Sequence, residues 1–370
     1  MSTTLGAGPT QVNMSDTIWE VLIAVAAARA IPDGRERVMP LLATPGFDFE
    51  GLIGNAVRHR LLAALADFLK VHGLRRAVPY RLLGQLDIHC NAGRHRAAIL
   101  TEEAQRLGGV LRDANVTSAW TKGVVAHHTL HESSGARLFD DIDLMIHPRH
   151  RETVDEVLTA SGYSRHSRYD ATTRTLVPQS KAALRVYQLS PDHLPHYYRL
   201  GPDPVVPYIA VDVANSLTWH TSSWQVPMEE VLTERRSVET GPGKQLYALM
   251  PHYAFLFTCL HLFREGWLTR IASRKPLTLS QFGDVVTEWH RLRPADRAEI
   301  NHTIKRFGLT QPMAWVVAHT DALFGSEITA ELDLKFEATP EWLATSMIPD
   351  GTSGVFPGTM AQRLRRPLSL

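Results

Sequence analysis

Two acids one residue apart are the groups in this chain best placed to do chemistry. They are Asp141 and Asp143, in the run Arg137-Leu138-Phe139-Asp140-Asp141-Ile142-Asp143-Leu144-Met145-Ile146. The period-two alternation reads as a strand that puts Asp141 and Asp143 on one face and Ile142, Leu144 and Ile146 on the other. Paired carboxylates on a rigid strand pack poorly, but they seat hard divalent cations well, because such ions take oxygen ligands. An Asp-x-Asp pair alone is a solvated strand end; its neighbours change that reading. Upstream, Trp120-Thr121-Lys122-Gly123 places a cation and a glycine at a turn before a helix. Gly123 there would let a phosphate approach the backbone at the helix start. Arg137, four residues before Asp141, offers a second fixed cation. These are the parts of a metal-assisted phosphate-transfer site.

The elements that must hold these groups follow from periodicity and punctuation. Residues 1–15 are polar and rich in Gly, Thr and Ser, the composition of a flexible tail. Helical patterns follow at 16–30, from about 47 through Phe68, and at 80–114, the first stopped by Ile31-Pro32-Asp33-Gly34. Residues 115–120 read as a strand and 123–133 as a helix. His127 and His131 share a face of that helix at metal-ligand spacing, although the rest of a zinc motif is missing. One of the histidines there is a candidate base facing the cleft. After the Asp141/Asp143 strand comes a helix at 149–160, then a polar stretch containing Pro191-Asp192-His193-Leu194-Pro195-His196. Two strands, about 197–200 and 207–217, are joined by a Gly-Pro turn. In the second, Asp212 stands between Val211 and Val213, and a lone acid there is costly unless paired or on a metal. Beyond Trp224 the chain reads as helical, and from Thr339 rising Pro, Gly and Ser content reads as a loose tail.

Lys122-Gly123 followed by Arg137-Leu-Phe-Asp-Asp141-Ile-Asp143-Leu resembles the signature of the DNA polymerase β-like nucleotidyltransferase superfamily. More narrowly, it is similar to the bacterial family labelled uncharacterised nucleotidyltransferase, with a likeness spanning most of residues 45–290. The resemblance implies an α+β fold: a small mixed β-sheet nucleotidyltransferase core at 115–225, flanked by helical regions at 16–114 and 226–338, with a tail at 339–370. It implies two Mg²⁺ ions on Asp141, Asp143 and Asp212, with Asp212 as the third carboxylate and general base. Lys122, Gly123 and Arg137 would bind the nucleotide, and the donor would be a nucleoside triphosphate. Better studied members carry Gly-Gly or Gly-Ser where this chain has Lys122-Gly123. His261, Lys275 and Asp284, around an element similar to the family's R-x-L-x-D, would line the cleft, and structural roles for them stay open.

Composition narrows the rest. A net charge of +1 gives no global field for long nucleic acid or acidic membrane. A small molecule, peptide or protein is therefore the expected acceptor. Cys90 and Cys259 sit in apolar helical settings and read as reduced core thiols, which fits a cytoplasmic chain. The apolar stretch 18–30 is too short to span a bilayer, and Asp16 and Glu20 intrude on any signal sequence. Two rival readings remain: transfer from another activated donor such as a nucleotide sugar, and a catalytically silent binding or regulatory module.

Overall fold

The computed structural model describes residues 13–188, 191–220, 222–269, 277–347, 353–355 and 358–366. Most of the expected 1–15 tail therefore lies outside the described residues. Four helices open the fold: α1 (Met14–Ala26), α2 (Gly34–Leu42), α3 (Phe49–Arg58) and α4 (Leu62–Val71). The Asn13 side chain caps α1 by accepting from Ser15 N–H, and Asp48 caps α3 by accepting from Gly51 N–H. The 34-residue α5 (Tyr80–Asp113) starts directly after Pro79, which cannot continue a helix backwards.

The centre is one six-stranded sheet in the order β5-β6-β2-β1-β8-β7. Its strands are β1 (Ser118–Thr121), β2 (Ile142–Ile146), β5 (Tyr197–Asp203), β6 (Val206–Ala214), β7 (Arg235–Gly241) and β8 (Lys244–Leu249). The sheet is mixed: β2 runs antiparallel to β1 and parallel to β6, while β1 runs parallel to β8. The fold is thus α+β, as the sequence implies. Helices α6 (Lys122–Thr129) and α7 (Arg151–Ala160), a small hairpin β3–β4 (Ser167–Asp170, Thr175–Pro178) and α8 (Lys181–Gln188) fill the connections.

Two stretches correct the sequence reading. Residues 226–249, expected to be helical, hold the short α9 (Met228–Thr233) and then the β7–β8 hairpin, which completes the sheet. Its turn is Gly241-Pro242-Gly243, with positive φ at both glycines, a strong hairpin signal that outweighs the helical neighbours. The 339–370 tail is not loose where it is described. The helix Met360–Arg365 is closed by a Thr359/Gln362 capping box and buries Met360 and Leu364.

Two apolar clusters hold the layers together. One spans residues Ala97 to Ala248 and packs α5 and α7 on the sheet face that carries Ile142, Leu144 and Ile146. The other runs from Ile18 to Leu364 and joins α1 to α10 (Pro251–Phe263) and to the helices Leu279–Arg291 and Thr310–Phe324. Met145, on the opposite face of β2, belongs to this second cluster. Both faces of β2 are therefore covered over most of its length, and the acids are held at the end where it begins.

Candidate functional site

The sheet register brings the acids together. Asp143 on β2 is the direct partner of Asp212 on β6 and of Thr121 at the end of β1. Asp141 immediately precedes β2, two residues back on the same face. One oxygen from each of Asp141, Asp143 and Asp212 lies within 4.8 Å of the others. No other such cluster of three possible ligands occurs among the described residues. An all-oxygen donor set of this charge suits a hard divalent cation.

Lys122 follows β1 directly, so its side chain starts beside Asp143. Its Nζ donates to Asp143 Oδ1 at 2.7 Å and lies 5.1 Å from the centre of the Phe257 ring. Its backbone adopts φ +46°, a conformation glycine takes without strain. Here the ion pair holds a lysine in the same conformation. Gly123 is required by packing: an added Cβ would stand 2.5 Å from Phe139 Cβ.

Electrostatics mark the site as crowded with charge. Burial, reinforced by Asp141 and Asp212 and opposed by Lys122, pushes the Asp143 carboxyl up to about 7. Burial likewise penalises the Asp212 carboxylate, but His196, His193 and Lys122 outweigh it and hold that group well below its usual range. His193 Nδ1 is 3.4 Å and His196 Nε2 is 3.7 Å from Asp212 Oδ1. Burial opposes the Lys122 charge, yet the three aspartates hold its pKa above the ordinary value. His261 on α10 feels Lys122, Glu265 and Asp212; burial and then Lys122 bring it down to about 3.

Of the other predicted residues, Arg137, Asp284 and His127 make their contacts away from the three acids. Arg137 Nη2 pairs with Asp284 Oδ2 at 2.8 Å, and His131 Nε2 is 3.6 Å from the same carboxylate. These three line a pocket of about 130 Å³ together with Arg29, Arg60 and Asp67 of the N-terminal region. Among the described residues, no ion pair joins Arg137 to the three clustered acids. His127 is buried against Phe139 and His128, and α6 ends before His131, so the pair does not share a helix face. Lys275 lies outside the described residues. His193 and His196 are the site residues that sequence reading left unassigned. The available signal was two histidines leading into a strand that pairs with the Asp212 strand.

The chain matches the family described as uncharacterised nucleotidyltransferase over residues 45–325. It belongs to that family. No curated protein matches it. Membership gives this nucleotidyltransferase a general class of reaction. No helix among the described residues is long and apolar enough to cross a membrane.

Three buried histidines of this nucleotidyltransferase set an acid limit. Burial brings His59, His127 and His319 down to about 4, with nearby Arg or His groups adding to the effect. Free histidine titrates near 6.5, so between those values the unfolded chain binds more protons than the folded one. Stability should therefore be full at neutral pH and fall as pH drops from about 6.5 toward 4. Urea midpoints at pH 7.5, 6.0 and 5.0 should show this fall, and it should be shallower in His127→Leu. An identical slope in that variant would remove His127 from the explanation.

Proposed function

We propose that this nucleotidyltransferase is metal-dependent and moves a nucleoside monophosphate from a nucleoside triphosphate to an acceptor hydroxyl, releasing pyrophosphate. The observation that carries this reading is the convergence of Asp141, Asp143 and Asp212 beside Lys122 on adjoining strands. Family membership sets the reaction class, and the all-carboxylate donor set fits Mg²⁺. Crowding three carboxylates into a partly buried cluster is unfavourable without a compensating cation, and among the described residues only Lys122 is paired with Asp143.

Asp141, Asp143 and Asp212 would hold the ions. When bound, divalent ions there supply charge neutralisation and Lewis acidity at the phosphates and the attacking oxygen. Lys122, at the head of α6, stands on the donor side and neutralises charge that builds on the leaving pyrophosphate. Asp212, at the other end of the row, orients the acceptor hydroxyl. As the acceptor oxygen bonds to the α-phosphorus, the bond to pyrophosphate breaks and the hydroxyl proton passes to Asp212. His196, 30% exposed and 3.7 Å from that carboxylate, offers the proton a way to solvent.

The test is calorimetry of ATP, GTP, CTP and UTP with and without Mg²⁺, on wild type and on Asp141→Ala/Asp143→Ala. Binding that needs Mg²⁺ and is lost in the double variant is the expected result, and it names the donor base. Equal nucleotide binding by both proteins would overturn the assignment of the acids.

A further inference from the structure

We infer that the sheet edge beside Asp212 is an acceptor subsite, and that it takes a small alcohol carrying a flat ring, which lies against Tyr198 and Tyr208. The inference rests on the proposed function, because it takes Asp212 as the acceptor end of the row. Across the sheet the order is Lys122 after β1, Asp143 on β2, Asp212 on β6 and His196 just before β5. The cation suited to phosphate is at one end. The edge strands that continue past Asp212 are at the other.

On that edge the side chains form a ladder of rings. Tyr198 pairs with Ala210 and Leu200 with Tyr208, so Asp212, Ala210 and Tyr208 share one face with Tyr198. The His196 and Tyr198 rings are 6.4 Å apart and nearly parallel, at 21°. Tyr198 and Tyr208 are 6.0 Å apart, and Tyr208 stacks on Tyr169 of the β3–β4 hairpin at 4.8 Å. The Arg96 guanidinium carbon lies 5.7 Å from the Tyr208 centroid, and its Nη2 is 3.8 Å from Asp140, the neighbour of Asp141. The ladder therefore begins at the acid that faces the acceptor and ends under a cation that also reaches the metal loop.

Core packing does not account for these rings. Tyr163 and Tyr197 belong to the sheet cluster, and their hydroxyls donate to Glu103 and Asp155. Tyr198, Tyr208 and Tyr169 belong to neither cluster and are only partly buried. Their hydroxyls have no hydrogen-bond partner among the described residues. Burial, Tyr208 and then the Asp141 and Asp212 charges raise the Tyr198 phenol, which places it within electrostatic reach of both acids. Two residues of strand cover about 7 Å, so a ring on Tyr198 sits roughly one ring-length from a hydroxyl at Asp212. Nucleosides and aryl glycosides have a flat ring at that reach, and a ringless polyol gains nothing from the ladder.

Binding of ring probes to the full chain in metal-free buffer tests this without turnover. The ring probes are adenosine and phenyl β-D-glucoside, with methyl β-D-glucoside as the control that lacks a flat ring and glycerol as the ringless control. At least one ring probe should bind wild type more tightly than either control. Tyr198→Ala and Tyr208→Ala should each weaken that probe by about 5- to 100-fold, the range of one lost stacking contact. Tyr198→Phe and Tyr208→Phe keep the ring and should bind as wild type does, which separates stacking from a folding defect. No ring probe bound by wild type, or unchanged affinity in both alanine variants, would overturn the subsite. The same probes on Asp141→Ala/Asp143→Ala separate the two readings. Probe binding kept there, with Mg²⁺-nucleotide binding absent from wild type, would sink the proposed function and leave the ring site standing.

Discussion

Asp141→Asn is expected to lower metal-dependent nucleotidyl transfer by about 10³-fold, equivalent to roughly 4 kcal/mol of lost transition-state stabilisation. The expectation follows from one oxygen-donor charge being removed from the cluster formed with Asp143 and Asp212. Asp141 is the clean position for this test. It precedes β2 and is not fully buried, and it makes no ion pair among the described residues. Its amide, which removes one repelling charge, should therefore leave the melting temperature unchanged or raised while activity collapses. Transfer assayed with the donor nucleotide found by calorimetry, beside a thermal melt of the same sample, gives both readings. Full activity in Asp141→Asn would take Asp141 out of the site, whatever the fold.

Lys122→Met is expected to cost about 3–5 kcal/mol of stability in metal-free buffer at neutral pH. The methionine keeps an unbranched apolar stem against Phe257 but removes the ammonium 2.7 Å from Asp143. Three clustered carboxylates then face one another with no lysine among them. Adding Mg²⁺ should return most of the lost stability in Lys122→Met and change wild type less, because the ion restores the missing positive charge. Urea unfolding of both proteins with EDTA and with Mg²⁺ decides the matter. A variant as stable as wild type in EDTA would show that the pair is not structural. A variant that Mg²⁺ fails to rescue would show that the acids do not take that cation.

The site was legible in the sequence where a local pattern carried it. Alternation around Asp141 and Asp143 gave the strand face, and the valines flanking Asp212 marked a buried acid in need of a partner. Both readings used only the period of a strand and the cost of burying charge. What stayed hidden depends on distant residues meeting. Arg137 looked like a companion of Asp141 because it is four residues away, but Asp284, from a helix far along the chain, takes its guanidinium. His193 and His196 look unremarkable until β6 pairs beside them. The β7–β8 hairpin was missed for another reason. The first strand, β7, is mostly Arg, Ser, Glu and Thr with Val238 as its one buried residue, since it lies at the sheet edge. The turn glycines carried more information there than the strand composition did.

The two apolar clusters differ in how much of the chain each one needs, and this orders events during synthesis. The sheet cluster is complete once Ala248 has been made, so the strands, α5 and α7 can pack while the ribosome is still adding α10 and the helices after it. The other cluster sets Ile18 and Trp19 of α1 among residues as late as Met360 and Leu364, and Arg365 pairs with Asp16. The packing of α1 is therefore completed only when the helix Met360–Arg365 arrives, on the order of ten seconds after Ala248 at ordinary synthesis rates. During that interval α1 lacks its later partners, the helix Leu279–Arg291 first among them, and that part of its apolar surface is uncovered. Nascent chains halted between residues 250 and 360 should be the ones that chaperones bind most strongly.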